Sequence, residues 1–457
     1  MSADYWVTIG DIAEVYDGPH ATPKKTEVGP YFLSISSLER GALDLSKSAH
    51  VSEEDFVKWT KRVTPQAGDL LFSYETRLGD AALMPANITA CLGRRMGLLR
   101  PKADKVVSEY LLYAYLSPSF QETIRSKTIH GATVDRIALK ELPTFSIRIP
   151  SKREQQEVVE ILSTLDQKIL VNRQTNQTLE EMARAMFKSW FVDFEPTRAK
   201  IAAKENGEDP ERAAMATIAG KTIAQLNTLP PEQLKTLKST ASLFPDALID
   251  SELGEIPEGW EVKPLSSWGD IVCGKTPPKK NKEYYGGNIP FIKIPDMHGN
   301  MYAIKTTDSL TMEGANTQKK KIIPKGSVCV SCIATVGQVL IACENSATNQ
   351  QINSIVPNSE IYTPYLYFSM LGSYDHLHDL ASGGSATLNL NTRNFSKIDI
   401  AKPDDSILQR FNDLLAPTMA NILSNCYQNQ TLENLRDTLL PKLLSGEIDL
   451  SKVGSND

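Results

Sequence analysis

Two residue pairs stand at spacings where chemistry is done. Cys329 and Cys332 have the C-x-x-C interval of zinc and redox sites, and His376 and His378 are the one close pair among six histidines. Neither develops into a site. The cysteines lie in SVCVSCIATVG, a strand-like run with no second pair, which reads as thiols buried in a sheet. The histidines follow a helical run, and residues two apart on a helix do not share a face, so they read as surface or cap. The sequence contains no G-x-x-x-x-G-K-[ST], H-E-x-x-H, G-x-S-x-G or G-x-G-x-x-G. The Asn/Asp-Pro-Pro-aromatic tetrapeptide of amino-methyltransferases and a glycine loop for S-adenosylmethionine are also missing. Carboxylate–lysine nuclease sites are too degenerate to read by pattern, and nothing points to one. The expectation is a chain that is not the catalyst, with no catalytic, metal or cofactor-binding residues of its own.

Other elements must therefore carry the function. The chain has 457 residues, enough for about three domains of roughly 150 residues. Its 41% apolar and 23% charged residues are those of a globular protein. No window reaches 18 apolar residues, and the N-terminus MSADYWVTIG lacks a basic flank and an apolar run. With six scattered cysteines, the expected location is cytoplasmic. The net charge of -6 argues weakly against a protein that coats nucleic acid, but it is unevenly spread. Residues 1–150 hold 18 basic and 18 acidic side chains, and residues 255–400 hold 13 of each. The excess acid lies elsewhere, which permits a local basic face on each neutral block.

A repeat organises the chain. NQTLE occurs at 176–180 and again at 429–433, and the same offset of 253 aligns QEVVEIL (156–162) with QRFNDLL (409–415). WVTIGDIAEVYDG from Trp6 matches WEVKPLSSWGDIVCG from Trp260 at an offset of 254. GDLLFSYETRLGDAAL (68–83) matches GSVCVSCIATVGQVLI (326–341) at 258, and HGATVDRIALKEL (130–142) loosely matches GGSATLNLNTRNFSKI (383–398). The chain reads as globular block, helix, globular block, helix. Each block is mixed: NIPFIKI, KKKIIPKGSVCVSCI, VGQVLIA and INSIVP read as strands, and SEYLLYAYLSPSF and TPYLYFSMLGS as helices. The expected fold class is α+β, a tandem duplication of a strand-rich domain followed by a long helix. The expected divisions are 1–150, a helix 151–196, a polar connection with short helices 197–254, 255–403, a helix 404–447, and a tail 448–457.

The helices show a heptad seam. Val158, Leu162, Leu165, Ile169, Asn172, Asn176, Leu179, Ala183, Met186 and Trp190 alternate steps of four and three. Their counterparts are Phe411, Leu415, Thr418, Ile422, Asn425, Asn429, Leu432, Arg436, Leu439 and Leu443. Both seams carry two asparagines at the centre. A seam asparagine fixes register by pairing with a polar partner. Antiparallel packing brings the two asparagine pairs face to face and gives a pseudo-two-fold protein, with the two blocks at opposite ends of a rod. The alternative is that each helix packs only on its own block.

Several phrases resemble the DNA specificity (S) subunit of Type I restriction-modification systems: CGKTPPKKNKEYYGGNIPFIKIPDM (273–297), ATNQQINSI (347–355), NQTLEEMARAMFKSWFVDFEP (176–196), LFPDALIDSELGEIPEGW (243–260) and RDTLLPKLLSGEI (436–448). The resemblance covers essentially the whole length. It implies two target-recognition domains, each reading one half of a split sequence in double-stranded DNA, with helices that set the gap. It implies assembly with two methyltransferase subunits, which bring S-adenosylmethionine, and with restriction/translocase subunits, which bring ATP and Mg. The first domain departs from the pattern, opening with DGPHATPKKTEVGPYFLSI (17–35) in place of a full G-K-T-P phrase.

DNA readout needs donors and acceptors over base edges and positive charge over phosphates. In the second domain Lys275, Lys279, Lys280 and Lys282 crowd one loop with Thr276 and Asn281, and Lys319, Lys320 and Lys321 form a second cluster. Asn349, Gln350 and Gln351 offer amides suited to adenine, although Asn349 could instead cap a turn. Arg393 is that domain's only arginine, and Thr387 lies in a polar loop. The first-domain candidates are Lys24, Lys25, Arg77, Arg94, Arg95, Thr133 and Arg136. Any one of these is equally readable as solvated surface. Off the seams, Met182, Phe187 and Phe191, and Leu435, Leu440 and Leu444, are surplus apolar residues expected to dock catalytic partners. The bland alternative packs them on this chain's own domains. Two other classes stay open: a fused modification enzyme or nuclease, and a scaffold indifferent to DNA sequence.

Overall fold

The computed structural model describes residues 5–19, 21–39, 41–131, 134–382, 388–448 and 450. The chain divides into two compact units, Met1–Ile169 with Thr431–Asp457, and Leu170–Gln430. Both contain parts of the two long helices, Lys152–Phe191 and Asp405–Ser445.

In the first unit a four-stranded antiparallel sheet runs in the order Ala13–Asp17, Met96–Pro101, Leu70–Ser73, Ala81–Leu83. A three-stranded sheet centres on Thr26–Phe32, antiparallel to Ala49–His50 and parallel to Ala90–Cys91. The opening strand Trp6–Thr8 pairs with Ser146–Arg148. In the second unit the same three sheets recur. Gly269–Cys273, Ile352–Pro357, Val328–Ser331 and Val339–Ile341 make the four-stranded sheet. Tyr285–Ile292 stands between antiparallel Asp308–Leu310 and parallel Ala347–Thr348, and Glu261–Pro264 pairs with Asp399–Lys402. Even the register break recurs, between Thr26 and Tyr31 and between Tyr285 and Ile289. The chain is a tandem duplication of one mixed domain.

Hydrogen bonds refine the alignment of the repeats. Ile9 N–H donates to Phe145 O, and Leu265 N–H donates to Ile398 O. Asp17 pairs with Gly97, as Cys273 pairs with Asn353. Ile9 and Asp17 thus correspond to Leu265 and Cys273, so Trp6 corresponds to Val262, not to Trp260. Trp260 lies two residues earlier, in the turn just before its strand begins at Glu261. The run KKKIIPKG also departs from expectation, because Lys319–Lys321 form a 3-10 turn and the strand starts at Val328. SEYLLYAYLSPSF is two helices, Ser108–Leu116 and Pro118–Ser126, broken where Ser117 caps the second with Pro118 at its first position.

The connecting segment folds as short helices, among them Glu195–Glu205, Pro210–Ala219 and Pro231–Ala241, around Ala214, Met215, Leu226 and Ala241. Its buried Lys200 donates to Glu211 at 2.6 Å and to Phe244 O at 2.7 Å.

The long helices pack antiparallel in each unit. In the first, Val158 and Leu162 share a core with Leu443 and Leu444, and Arg436 donates to Asp166 at 2.9 Å. In the second, Asn172 donates to Asn429 at 2.9 Å and to Gln428 at 2.7 Å, while Asn425 donates to Asn176 at 2.8 Å. Partner numbers fall on one helix as they rise on the other. The seam positions are buried or half-buried along both helices. Asn172→Leu alone leaves Asn429 and Gln428 without their donor and is expected to cost about 1–3 kcal/mol. Asn172→Leu with Asn429→Leu should recover part of that loss, as a double-mutant cycle in denaturant unfolding would show.

Candidate nucleic-acid interface

In the second unit the basic segments are assembled on the three-stranded sheet. Phe291, Leu310 and Ala347 form its core, with Tyr285, Ile289 and Ile322 packed against them. The loop after Cys273 is seated by backbone bonds. Gly274 N–H donates to Ile352 O at 3.1 Å and Lys275 N–H to Thr348 O at 2.9 Å. Tyr285 then donates its hydroxyl to Pro277 O at 2.7 Å. Beyond these anchors Lys275, Lys279, Lys280 and Lys282 are exposed, and none forms an ion pair among the described residues. The short helix Met312–Asn316 sits against the end of this loop, with Thr311 N–H on Tyr284 O at 3.0 Å. It leads into exposed Lys319 and Lys320 and half-buried Lys321. Arg393 is exposed on the helix Thr392–Ser396, which Thr392 ties to Asn353 beside the end of Gly269–Cys273. Lysines from two distant stretches thus border the three-stranded sheet, and Arg393 lies beside the neighbouring four-stranded one. Unpaired cations held on a rigid support are what phosphate binding requires.

The amide candidates divide. Asn349 is buried, accepts from Gln351 N–H at 3.0 Å and donates to Gln351 Oε1 at 3.0 Å. It builds the turn that receives the Lys275 loop, the capping role that the sequence also allowed for it, and its amide is occupied within that turn. Gln351 is occupied by the same turn. Gln350 is exposed, and its Oε1 accepts from Thr276 at 2.7 Å, leaving its NH2 free to donate among the described residues. Asn281 is half-buried in the turn preceding Lys282–Tyr284. Thr387 lies outside the described residues, as does Thr133.

In the first unit Lys24, Lys25 and Arg94 are exposed without ion pairs among the described residues. Arg136 is exposed, and its backbone pairs with Ile129. Arg77 and Arg95 are half-buried and engaged with this chain's own groups. Arg77 donates to Ile35 O at 3.2 Å and Leu38 O at 2.9 Å and pairs with Asp80 at 2.6 Å. Arg95, with φ of 72°, pairs with Glu75 at 3.0 Å. Arg77 spends several of its donors within the fold, whereas Arg95 makes one hydrogen bond, to Thr76 at 3.2 Å.

The glycine seat was missed in the first unit. Gly18 N–H donates to Met96 O at 2.8 Å, the counterpart of the Gly274 bond to Ile352 O. A Cβ on Gly18 would lie 2.7 Å from Gly93 O, and one on Gly274 would lie 2.2 Å from Thr348 Oγ1 and 2.3 Å from Asn349 O. Each glycine is followed by a Pro-Lys-Lys, at 23–25 and 278–280. That shared order, with Pro23 five residues after Gly18 and Pro278 four after Gly274, was the available signal. The departure of the first loop from G-K-T-P therefore leaves its anchor intact. Gly274→Ala must push the loop off its seat, and loss of even one base contact costs about 1–3 kcal/mol. Sequence-specific DNA retention by the assembled complex should fall accordingly, while its thermal midpoint changes little.

The surplus apolar residues also divide. Phe187 and Phe191 are buried among Tyr365, Phe368, Phe411 and Trp260 of the second unit, and Leu444 is buried in the core of the first. Leu440 is half-buried against that core. These helices are apolar on two sides because they pack on a helix and on a domain at once, which corrects the docking assignment of Phe187, Phe191 and Leu444. Met182 and Leu435 are exposed.

The cysteine pair is split between two cores. Cys329 packs with Ile292 and Leu340, and Cys332 with Trp268 and Tyr365. Burial pushes the thiols up to about 12 and about 11. His378 meets Val336 O at 3.0 Å, and His376 is exposed. Among the described residues no group of three His, Cys, Asp or Glu side chains could hold a metal ion, and no helix is long and apolar enough to cross a membrane.

Comparison with known proteins agrees with this architecture. The family model for the type I restriction modification DNA specificity domain matches residues 5–181 and 257–438. The HindI specificity subunit of Haemophilus influenzae is 43% identical over 398 residues, 83% of this chain and 86% of that protein. The MjaIX specificity subunit of Methanocaldococcus jannaschii is 25% identical over 98% of this chain and 89% of that protein. The crystal structure of the type I restriction-modification S subunit from M. genitalium shares the fold, with a TM-score of 0.51 at 14% identity over 96% of each chain. This chain belongs to the family of type I restriction-modification DNA specificity subunits, the non-catalytic DNA-recognition components of those systems.

Proposed function

We propose that each unit reads one half of a bipartite duplex sequence, and that the paired helices hold the gap between the halves. The observation that carries this reading is the duplicated glycine-seated loop. Gly18 and Gly274 donate to the equivalent strand residues Met96 and Ile352, and a Pro-Lys-Lys follows each of them in its loop. The scaffold is shared, while the residues around it differ: Pro19 and His20 stand where the second loop has Lys275 and Thr276. A common support with different side chains is the arrangement for reading two different half-sites. The recognition domains are 1–150 and 255–403, and the helical segments 151–196 and 404–447 belong to the spacer.

In this reading the chain positions and does not transfer. Two methyltransferase subunits bring S-adenosylmethionine, and restriction/translocase subunits bring ATP and Mg. A base within the duplex is out of reach of a transfer site, so it must be turned out into the partner's pocket, and this chain fixes the register at which that happens. Methylation mapping of DNA from cells expressing the chain with its partner subunits tests the proposal. Two short half-sites at a fixed separation are expected. A contiguous site, or methylation indifferent to sequence, would count against it.

A further inference from the structure

The first unit carries a basic turn at the place of Lys319–Lys321. Ser52 accepts from Asp55 N–H at 3.2 Å and caps the helix Glu53–Trp59, as Thr311 accepts from Gly314 N–H at 3.1 Å and caps Met312–Asn316. Fully buried Val51 and Leu310 precede the two caps. Beyond the helices, Gly68 N–H donates to Met84 O at 2.9 Å and Gly326 N–H to Ala342 O at 2.8 Å. Between these equivalent anchors an offset of 259 aligns Lys61-Arg62-Val63-Thr64-Pro65 with Lys320-Lys321-Ile322-Ile323-Pro324. Lys61 and Arg62, both exposed, therefore stand where the second unit has two of its clustered lysines.

The two turns differ in what stands beside them. Arg62 Nη1 donates to the Asp17 carboxylate at 2.6 Å, and Asp17 is the residue immediately before the Gly18 seat. The turn is thereby tied to the start of the loop that carries Lys24 and Lys25. In the second unit the same two positions hold Lys321 and Cys273, which form no ion pair among the described residues. The Arg62 side chain stays 65% exposed beside its carboxylate. A guanidinium presents its N–H groups in a fixed fork, and the bond to Asp17 leaves Nε and Nη2 without a partner among the described residues. Local charge decides what that fork meets. A carboxylate 2.6 Å away offsets the cation and repels phosphate oxygens, so the pair is a poor phosphate anchor. A base edge is neutral. Guanine offers acceptors that match an arginine fork, and a carboxylate beside it meets the amino group of cytosine without repulsion.

We infer that Arg62, held in place by Asp17, is a specificity-determining residue of the first half-site and takes a guanine. The inference rests on the proposed bipartite reading and adds the residue, its positioning partner and the base. It also gives a physical source for a difference between the half-sites, because Lys321 beside Cys273 has neither the fork nor the carboxylate.

The experiment is selection of methylated duplexes from a library randomised across both half-sites, using the full chain assembled with its methyltransferase subunit. Arg62→Ala should lower discrimination at one G·C pair of a single half-site about tenfold to a hundredfold, with the other half-site and the gap unchanged. Arg62→Lys keeps the charge without the fork and should not restore that preference. Asp17→Ala should relax the same base pair by a smaller factor, an effect that a merely structural role would not confine to one position. An exposed ion pair adds little to stability, so the variants should keep the wild-type thermal midpoint. The inference is overturned if Arg62→Ala keeps every base preference, or if Arg62→Lys restores the one that was lost. It is also overturned if Arg62→Ala relaxes both half-sites, or weakens binding to all sequences with a shallower salt slope, which would make the contact a phosphate. A wild-type complex that selects no bipartite site would overturn the underlying reading, and this inference with it; a bipartite wild-type site with unaltered variants would overturn this inference alone.

Discussion

Phe187→Asp is expected to unfold the second unit. The ring of Phe187 is buried with four aromatic neighbours, Phe191 at 5.5 Å, Tyr365 at 5.7 Å, Phe368 at 5.8 Å and Phe411 at 6.3 Å. These come from both long helices and from the helix Thr363–Gly372, so the ring joins three elements of the unit. Truncating a buried Phe to Ala costs about 3–5 kcal/mol, and a carboxylate placed there adds an unpaired buried charge. Against a total of about 5–15 kcal/mol for a folded domain, that is most or all of the stability. Thermal and denaturant unfolding of the chain would check it, with Phe187→Leu as the milder control. Loss of assembly in Phe187→Asp would then report folding and not docking. A fully stable Phe187→Asp would contradict the packing described.

Alanine at Lys279, Lys280 and Lys282 together is expected to weaken DNA binding by the complex while leaving its sequence preference in place. These side chains are exposed and lack ion pairs among the described residues, so their removal takes little from the fold. Each phosphate contact contributes roughly 0.9 to the slope of log affinity against log salt. If all three meet phosphates, the slope becomes shallower by about 3, and affinity at about 0.15 M salt falls roughly a hundredfold. Titrations at four or five salt concentrations would measure this. An unchanged slope would identify the three lysines as solvated surface. A changed base preference would mean that they read bases.

Much of the architecture was legible in the sequence because it is written in linear patterns. The 253-residue offset of NQTLE and the four-three spacing beside it define two helices. The asparagine pairs then predict how the helices meet, since a buried amide seeks another amide, and Asn172 is found with Asn429 and Asn176 with Asn425. The candidate interface was legible by composition, as clusters of lysine in Gly/Pro-rich loops. Individual roles were not. Arg77 and Arg94 look alike in sequence, yet Arg77 donates to two carbonyls and pairs with Asp80, while Arg94 is exposed. Those carbonyls, of Ile35 and Leu38, lie about 40 residues away along the chain, where no periodicity points.

The sequence by itself determined the duplication, the helix seams and the family, because repetition and residue type are properties of the chain read in order. Tertiary structure alone decided which surplus apolar residues are covered and which polar ones are free. A seam counts only the helix–helix contact, and Phe187 is buried on the other side by Tyr365 and Phe368, some 180 residues further on. Asn349 in the Gly274 seat and the two-residue shift that separates Trp6 from Trp260 follow the same logic. Burial and hydrogen bonding are settled by whichever distant segment arrives alongside, and that depends on the whole fold.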